Sequence, residues 1–137
     1  MRRLAILAAV LAGAAVLAGW LRRFQRWAIA GESMLPTFTP GDWLLVERLR
    51  PGVTPPPAGA IVLVADPRDP SLPLLKRITR FDAEGKVWIE GDNPPYSTDS
   101  RHFGPVPVTS IAGIVRFRYW PPARAGRISR GAAQTSA

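Results

Sequence analysis

A serine and a lysine stand out in this chain by residue type and by setting. Ser33 lies in Gly31-Glu32-Ser33-Met34-Leu35-Pro36-Thr37, where flanking glycine and proline rule out regular helix or central strand. Lys76 lies in the apolar run Leu74-Leu75-Lys76-Arg77 and is one of only two lysines among eighteen cationic residues. Arginine keeps its proton near neutral pH, whereas a desolvated lysine can release it. A serine hydroxyl is a poor nucleophile until a base takes its proton and a donor stabilises the oxyanion. A turn with free backbone N–H groups and a lysine among apolar residues could supply both, which is Ser/Lys hydrolase chemistry. The other lysine, Lys86, sits in Ala83-Glu84-Gly85-Lys86 and reads as a solvated turn charge.

A third polar stretch runs from Gly91 to Gly104 and contains Asp92, Asn93, Ser97, Thr98, Asp99, Ser100 and Arg101. It reads either as a surface loop with a local Asp99–Arg101 pair or as a scaffold that orients a catalytic group. His102, the only histidine, leaves a Ser/His/Asp arrangement with Asp92 or Asp99 as an alternative. With no cysteine and a single histidine, neither a disulfide framework nor a metal centre is expected.

Short β-type runs punctuated by proline and glycine must position these groups. Trp43–Glu47, Ile61–Ala65, Leu74–Arg80, Lys86–Glu90 and Ile111–Trp120 are the strand candidates. In the last, Val115, Phe117 and Tyr119 alternate with Arg116 and Arg118, as in a half-buried strand. The connections 51–60, 66–73 and 82–86 carry turn chemistry. The expectation is an all-β fold, a small antiparallel β-sheet domain behind one N-terminal transmembrane helix. Its core would come from the five runs with Trp27, Ile29, Trp43 and Trp88.

The transmembrane expectation rests on Leu4–Leu21, an unbroken run of apolar and small residues bracketed by Arg2 and Arg3 before it and Arg22 and Arg23 after it. A cleaved secretory signal ending near Ala18 is the alternative, and arginines directly behind the run favour a retained anchor. The chain thus divides into an anchor over 1–22, a catalytic domain over 23–121 and a disordered basic tail over 122–137. All ten acidic residues fall within 27–123, which also holds ten Lys and Arg, so the net charge of +8 belongs to the anchor flanks and the tail. That distribution points to the lipid bilayer and away from nucleic acid.

Together the three stretches resemble the type I signal peptidase family of Ser/Lys serine proteases. Ser33-Met34-Leu35-Pro36-Thr37 is similar to its S-M-x-P-T motif and Lys76-Arg77 to its K-R pair. Gly91 through Gly104 follows its G-D-N-x-x-x-S-x-D-S-R-x-x-G segment. The resemblance implies Ser33 as nucleophile, Lys76 as neutral general base and the Ser33 N–H in the oxyanion hole. Ser97 would bond and orient the lysine, and Asp99 and Arg101 would pair beneath the site. Trp27, Ile29, Leu74 and Leu75 would line shallow pockets for small residues of a precursor protein bound as an extended strand. No cofactor is implied. The expected location is a single-pass membrane protein with its domain on the extracytoplasmic side, although the nearly balanced arginines leave orientation undecided.

Glu32 stands where the family commonly has glycine, Gly31 lacks a hydroxyl that could donate to an oxyanion, and Ile78–Lys86 is shorter than the family's glycine-rich segment. These departures resemble the compact members, organelle inner-membrane peptidases and the maturation proteases of nickel-type superoxide dismutase. Two further readings stay open. A self-cleaving repressor would need DNA-binding helices in place of the apolar run. A membrane-tethered domain that binds peptides without cutting them is the non-enzyme alternative.

Overall fold

The computed structural model describes residues 1–128 and 131. Helix α1, Arg2–Leu21, has 20 residues and none of them is buried against the rest of the chain. At about 1.5 Å per residue it is roughly 30 Å long, the thickness of a bilayer's hydrocarbon core. Trp20 at its end meets the Phe24 ring at 5.1 Å between centroids.

Among the described residues seven strands follow: β1 Phe24–Ala28, β2 Trp43–Arg48, β3 Ile61–Asp66, β4 Asp69–Phe81, β5 Val87–Glu90, β6 Ile111–Trp120 and β7 Gly126–Arg127. All pair antiparallel in the order β1-β2-β6-β3-β4-β5, with β7 on β6. The fold is thus the antiparallel β domain behind an apolar helix that the sequence leads one to expect. Ile61-Val62-Leu63-Val64 is apolar throughout because both faces of β3 are covered. Ile61 and Leu63 join one cluster with Ile29, Met34, Phe38 and Leu75, while Val62 and Val64 join a second with Ile78, Ile89 and Ile114.

Several expectations need correction. Strand β1 has no counterpart among the strand candidates, because this edge strand has no buried residue and only half-buried Phe24, Gln25 and Trp27 to mark it. The segment 66–73 is not all turn: β4 begins at Asp69, and Pro73 lies opposite Ala65. Its prolines are tolerated where the strand's other edge is unpaired, since a missing N–H costs nothing there. Trp43 is 41% exposed rather than in the core, packed beside Tyr119, and Trp88 is half-buried under Arg80. The expected disordered tail starts out ordered. Pro122–Arg124 forms a short turn of 3-10 helix, and β7 pairs Gly126 with Arg118 and Arg127 with Phe117. Ser129, Arg130 and 132–137 lie outside the described residues.

Candidate active site

The turn bearing Ser33 is an excursion between β1 and β2. Ile29 N donates to Asp42 O and Gly41 N donates to Ile29 O, each at 2.8 Å, so the excursion is closed at its base. Gly41 has φ +94°, a conformation that favours glycine. Met34 and Phe38 sink into the first apolar cluster, at 2% and 0% exposure, and pin the turn on either side of its prolyl bend.

Asp42, fully buried, ties the same turn to the chain's far end. It accepts from Thr39 N at 3.0 Å, Arg118 Nη1 at 3.1 Å and Arg124 Nη2 at 2.5 Å. Burial alone would raise its pKa, but these donors outweigh it and hold the carboxyl below the usual range. Arg118 also donates to Thr37 O at 3.0 Å.

Lys76 projects from β4 opposite Val62, and its Nζ lies 2.8 Å from Ser33 Oγ. The lysine is 4% exposed. Burial lowers its pKa, a nearby Arg101 pushes the same way, and Asp99, Asp66 and Asp92 partly oppose them. The same heavy-atom distance serves a hydrogen bond in either direction. A neutral amine here can therefore accept the serine proton. The Ser33 N–H takes no acceptor among the described residues and is available to an oxyanion.

The 91–104 segment closes over the other side. Asn93 N donates to Ser33 O and Asn93 Nδ2 to Glu32 O, both at 3.0 Å. Asp99 has no exposure and accepts from Gly91 N at 2.8 Å, Ser97 Oγ at 2.5 Å, and Arg101 Nε and Nη2 at 2.9 and 2.5 Å. Burial favours its neutral form, yet Arg101, Gly91 and Ser97 together hold the carboxyl well below the usual carboxylate range. The Asp99–Arg101 pair implied by the resemblance is present. The implied Ser97–Lys76 bond is not found among the described residues: the Ser97 hydroxyl donates to Asp99, and the Lys76 amine lies against Ser33. His102 is exposed and accepts from Asp99 N at 3.4 Å as part of the cap on helix α2, Ser100–Phe103.

Sequence reasoning missed the clamp that joins all three stretches. Asp92 takes both Arg77 Nε and Nη2, at 2.8 and 2.6 Å, and Thr37 Oγ1 at 2.5 Å. Arg77 follows the lysine and Thr37 ends the serine turn, so one carboxylate fixes both elements. The only sequence signal was their membership of the quoted motifs. Of the expected pocket residues, Ile29 and Leu75 share the first apolar cluster with Trp27 packed against it. Leu74 is half-buried and alternates to the Lys76 face of β4.

Gly91 is where these parts meet. A Cβ there would lie 2.5 Å from Ser33 O and 2.6 Å from Ser97 Cβ. Gly91→Ala is expected to cost about 1–3 kcal/mol through overpacking. By displacing Ser33 it should also lower kcat/KM by up to about 100-fold. Thermal unfolding and peptide cleavage measured side by side check this, and unchanged cleavage would show that Gly91 does not control the placement of Ser33.

The structure thus sets a buried lysine against a serine hydroxyl on an antiparallel sheet behind an apolar helix. The family model described as signal peptidase, peptidase S26, matches residues 2–80 and 83–120, and the chain belongs to that family. It is 40% identical over 116 residues to mitochondrial ATP-independent inner membrane protease subunit 1a of Arabidopsis thaliana, covering 69% of each chain. It is 32% identical over 111 residues to mitochondrial inner membrane protease subunit 1 of Mus musculus, covering 67% of each. It is 30% identical over 121 residues to subunit 2 of Danio rerio, covering 73% of this chain and 66% of the relative. These findings and α1 support a single-pass membrane peptidase of the signal peptidase kind.

Proposed function

We propose that this protein is a membrane-anchored serine endopeptidase that removes N-terminal signal peptides or propeptides after small residues. The reading rests above all on the 2.8 Å approach of a buried lysine to Ser33. Neutral Lys76 accepts the Ser33 proton as Oγ adds to the scissile carbonyl, and the Ser33 N–H receives the oxyanion. The lysine then protonates the departing amine, leaving an acyl-enzyme, and later takes a proton from the water that hydrolyses it. Asp99, Arg101 and Ser97 hold the loop in place, and no cofactor takes part. Residues 1–22 serve as anchor, and the catalytic domain begins at 23.

The substrate docks as an added strand on β4. β5 pairs with β4 only from Arg77 onward, so the outer edge of Ser71–Lys76 is open beside the lysine. Ile29, Leu75 and Trp27 then form the pocket before the cut, with Leu74 at its border. Small residues are expected at the first and third positions before the scissile bond, with tolerance at the second, which strand alternation turns away. Leu74→Ala or Leu75→Ala should admit larger residues, and a peptide library with unchanged preference in both variants would place the pocket elsewhere. Should the native chain cut no library peptide but one full-length precursor, a dedicated maturation protease becomes the better reading. Should it bind peptides and cut nothing, the non-catalytic reading wins.

A retained anchor predicts that the full chain resists carbonate extraction from membranes. Deletion of residues 1–21 is expected to release a soluble domain that still cleaves peptide. A mature N-terminus near Gly19 would instead mark α1 as a removed signal.

A further inference from the structure

A cleft of about 470 Å³ opens at the end of the sheet where α1 enters, on residues that the site around Ser33 does not use. Its walls come from the 48–56 connection and from β1, β6 and the short 3-10 helix Val108–Ser110. Leu49, Val53, Pro55, Pro56 and Ile111 give it an apolar lining, Arg48 and Arg50 stand in it, and among the described residues no carboxylate lines it. The nearest acid in sequence, Glu47, is turned away and engaged by Arg23 and Arg116.

Its depth relative to a bilayer follows from α1. Arg22 caps that helix, Arg48 N donates to Arg23 O at 2.8 Å, and Arg48 Nη1 donates to Arg22 O at 3.3 Å. With α1 across the hydrocarbon core, Arg22 lies at headgroup level and the cleft lies beside it. Arg48 is weakly engaged: its bonds to Arg22 O and to Gln25 Oε1 are 3.3 and 3.4 Å, near the outer limit for such bonds. Arg50 makes no side-chain hydrogen bond or ion pair among the described residues. Two available guanidiniums above an apolar cleft fit a phosphate with the start of an acyl chain beneath it.

We propose that this cleft binds one anionic phospholipid from the leaflet facing the domain, its phosphate on Arg48 and Arg50 and its glycerol and first acyl carbons against Val53, Pro55 and Pro56. The lipid would fix the sheet at a set height and tilt on the membrane. The site stands apart from Ser33 and does not depend on its role.

The test uses the full-length protein in nonionic detergent, titrated with dioleoyl phosphatidylglycerol and, separately, dioleoyl phosphatidylcholine, and read by native mass spectrometry. One bound phosphatidylglycerol, held about tenfold or more tighter than phosphatidylcholine, is expected. Arg50→Gln, which breaks no side-chain bond, and the double variant R48Q/R50Q should lose that preference. R26Q/R80Q, which removes the same charge elsewhere, should keep it. Equal loss in both double variants, or no preference in the native chain, would overturn the site in favour of diffuse attraction. Displacement of the lipid by equimolar glycerol phosphate would overturn the lipid assignment in favour of a free phosphate ester.

Discussion

Lys76→Arg is expected to be as inactive as Lys76→Ala, with kcat/KM down by about 100- to 10,000-fold or more. A guanidinium keeps its proton at any pH the enzyme meets, so it can hold the position and the charge but cannot accept the Ser33 proton. The pair of variants therefore separates base chemistry from packing. Removing the amine should also change the pH dependence of stability. The folded pKa of Lys76 lies below its unfolded value because burial penalises the charge. Between those two values the unfolded chain binds more protons than the folded one, so stability rises with pH across that window. Lys76→Met should accordingly gain most at lower pH, where the native protein carries a buried charge. Urea unfolding across pH measures this, and substantial cleavage by the arginine variant would exclude Lys76 as base. His102→Ala should leave cleavage largely intact, because the imidazole caps a surface helix.

Asp99→Ala is expected to be the most damaging change outside the pair itself. It leaves the buried Gly91 N–H and Ser97 hydroxyl without their acceptor, at about 1–3 kcal/mol each, and takes away the partner of Arg101, whose side chain is 32% exposed. The milder Asp99→Asn keeps the shape and tests the electrostatics. Asp99 has a folded pKa below its unfolded value, so its contribution is present above about pH 4 and is lost as pH falls toward the folded pKa. The asparagine variant should lack that acid-sensitive component. Asp99 is also the first among the groups holding the Lys76 proton on. The same variant should therefore move the acidic limb of the activity profile to lower pH. A purely structural role would destabilise the fold without that shift.

The candidate site was legible because its chemistry is concentrated in three short stretches with unusual residue types. A lysine in an arginine-rich chain, a serine between glycine and proline, and Asp99 two residues from Arg101 are all local signals. The long-range fasteners were not legible. Arg77–Asp92–Thr37 and Asp42–Arg118–Arg124 join residues far apart in sequence, and each member alone reads as an ordinary polar or charged surface residue. The resemblance places Ser97 against the lysine, whereas the bond its hydroxyl makes, to Asp99, emerges only from the folded loop. In the fold, the continuous run of β3 gave itself away, whereas β1 and the first residues of β4 did not. The former is a half-buried edge strand, and the latter carries prolines that only an unpaired edge makes compatible with a strand.

The central claim is that Lys76 is the base for Ser33, and having only two lysines makes it directly measurable. With 15N-labelled lysine the protein gives two side-chain Nζ signals. The Lys86 signal should titrate above the ordinary lysine value, because Glu84 pairs with it. The Lys76 signal should titrate below that value, at the pH where kcat/KM for a cleavable peptide rises. Two signals that both titrate at or above the ordinary lysine value, or an activity limb that does not follow the lower one, would contradict the account.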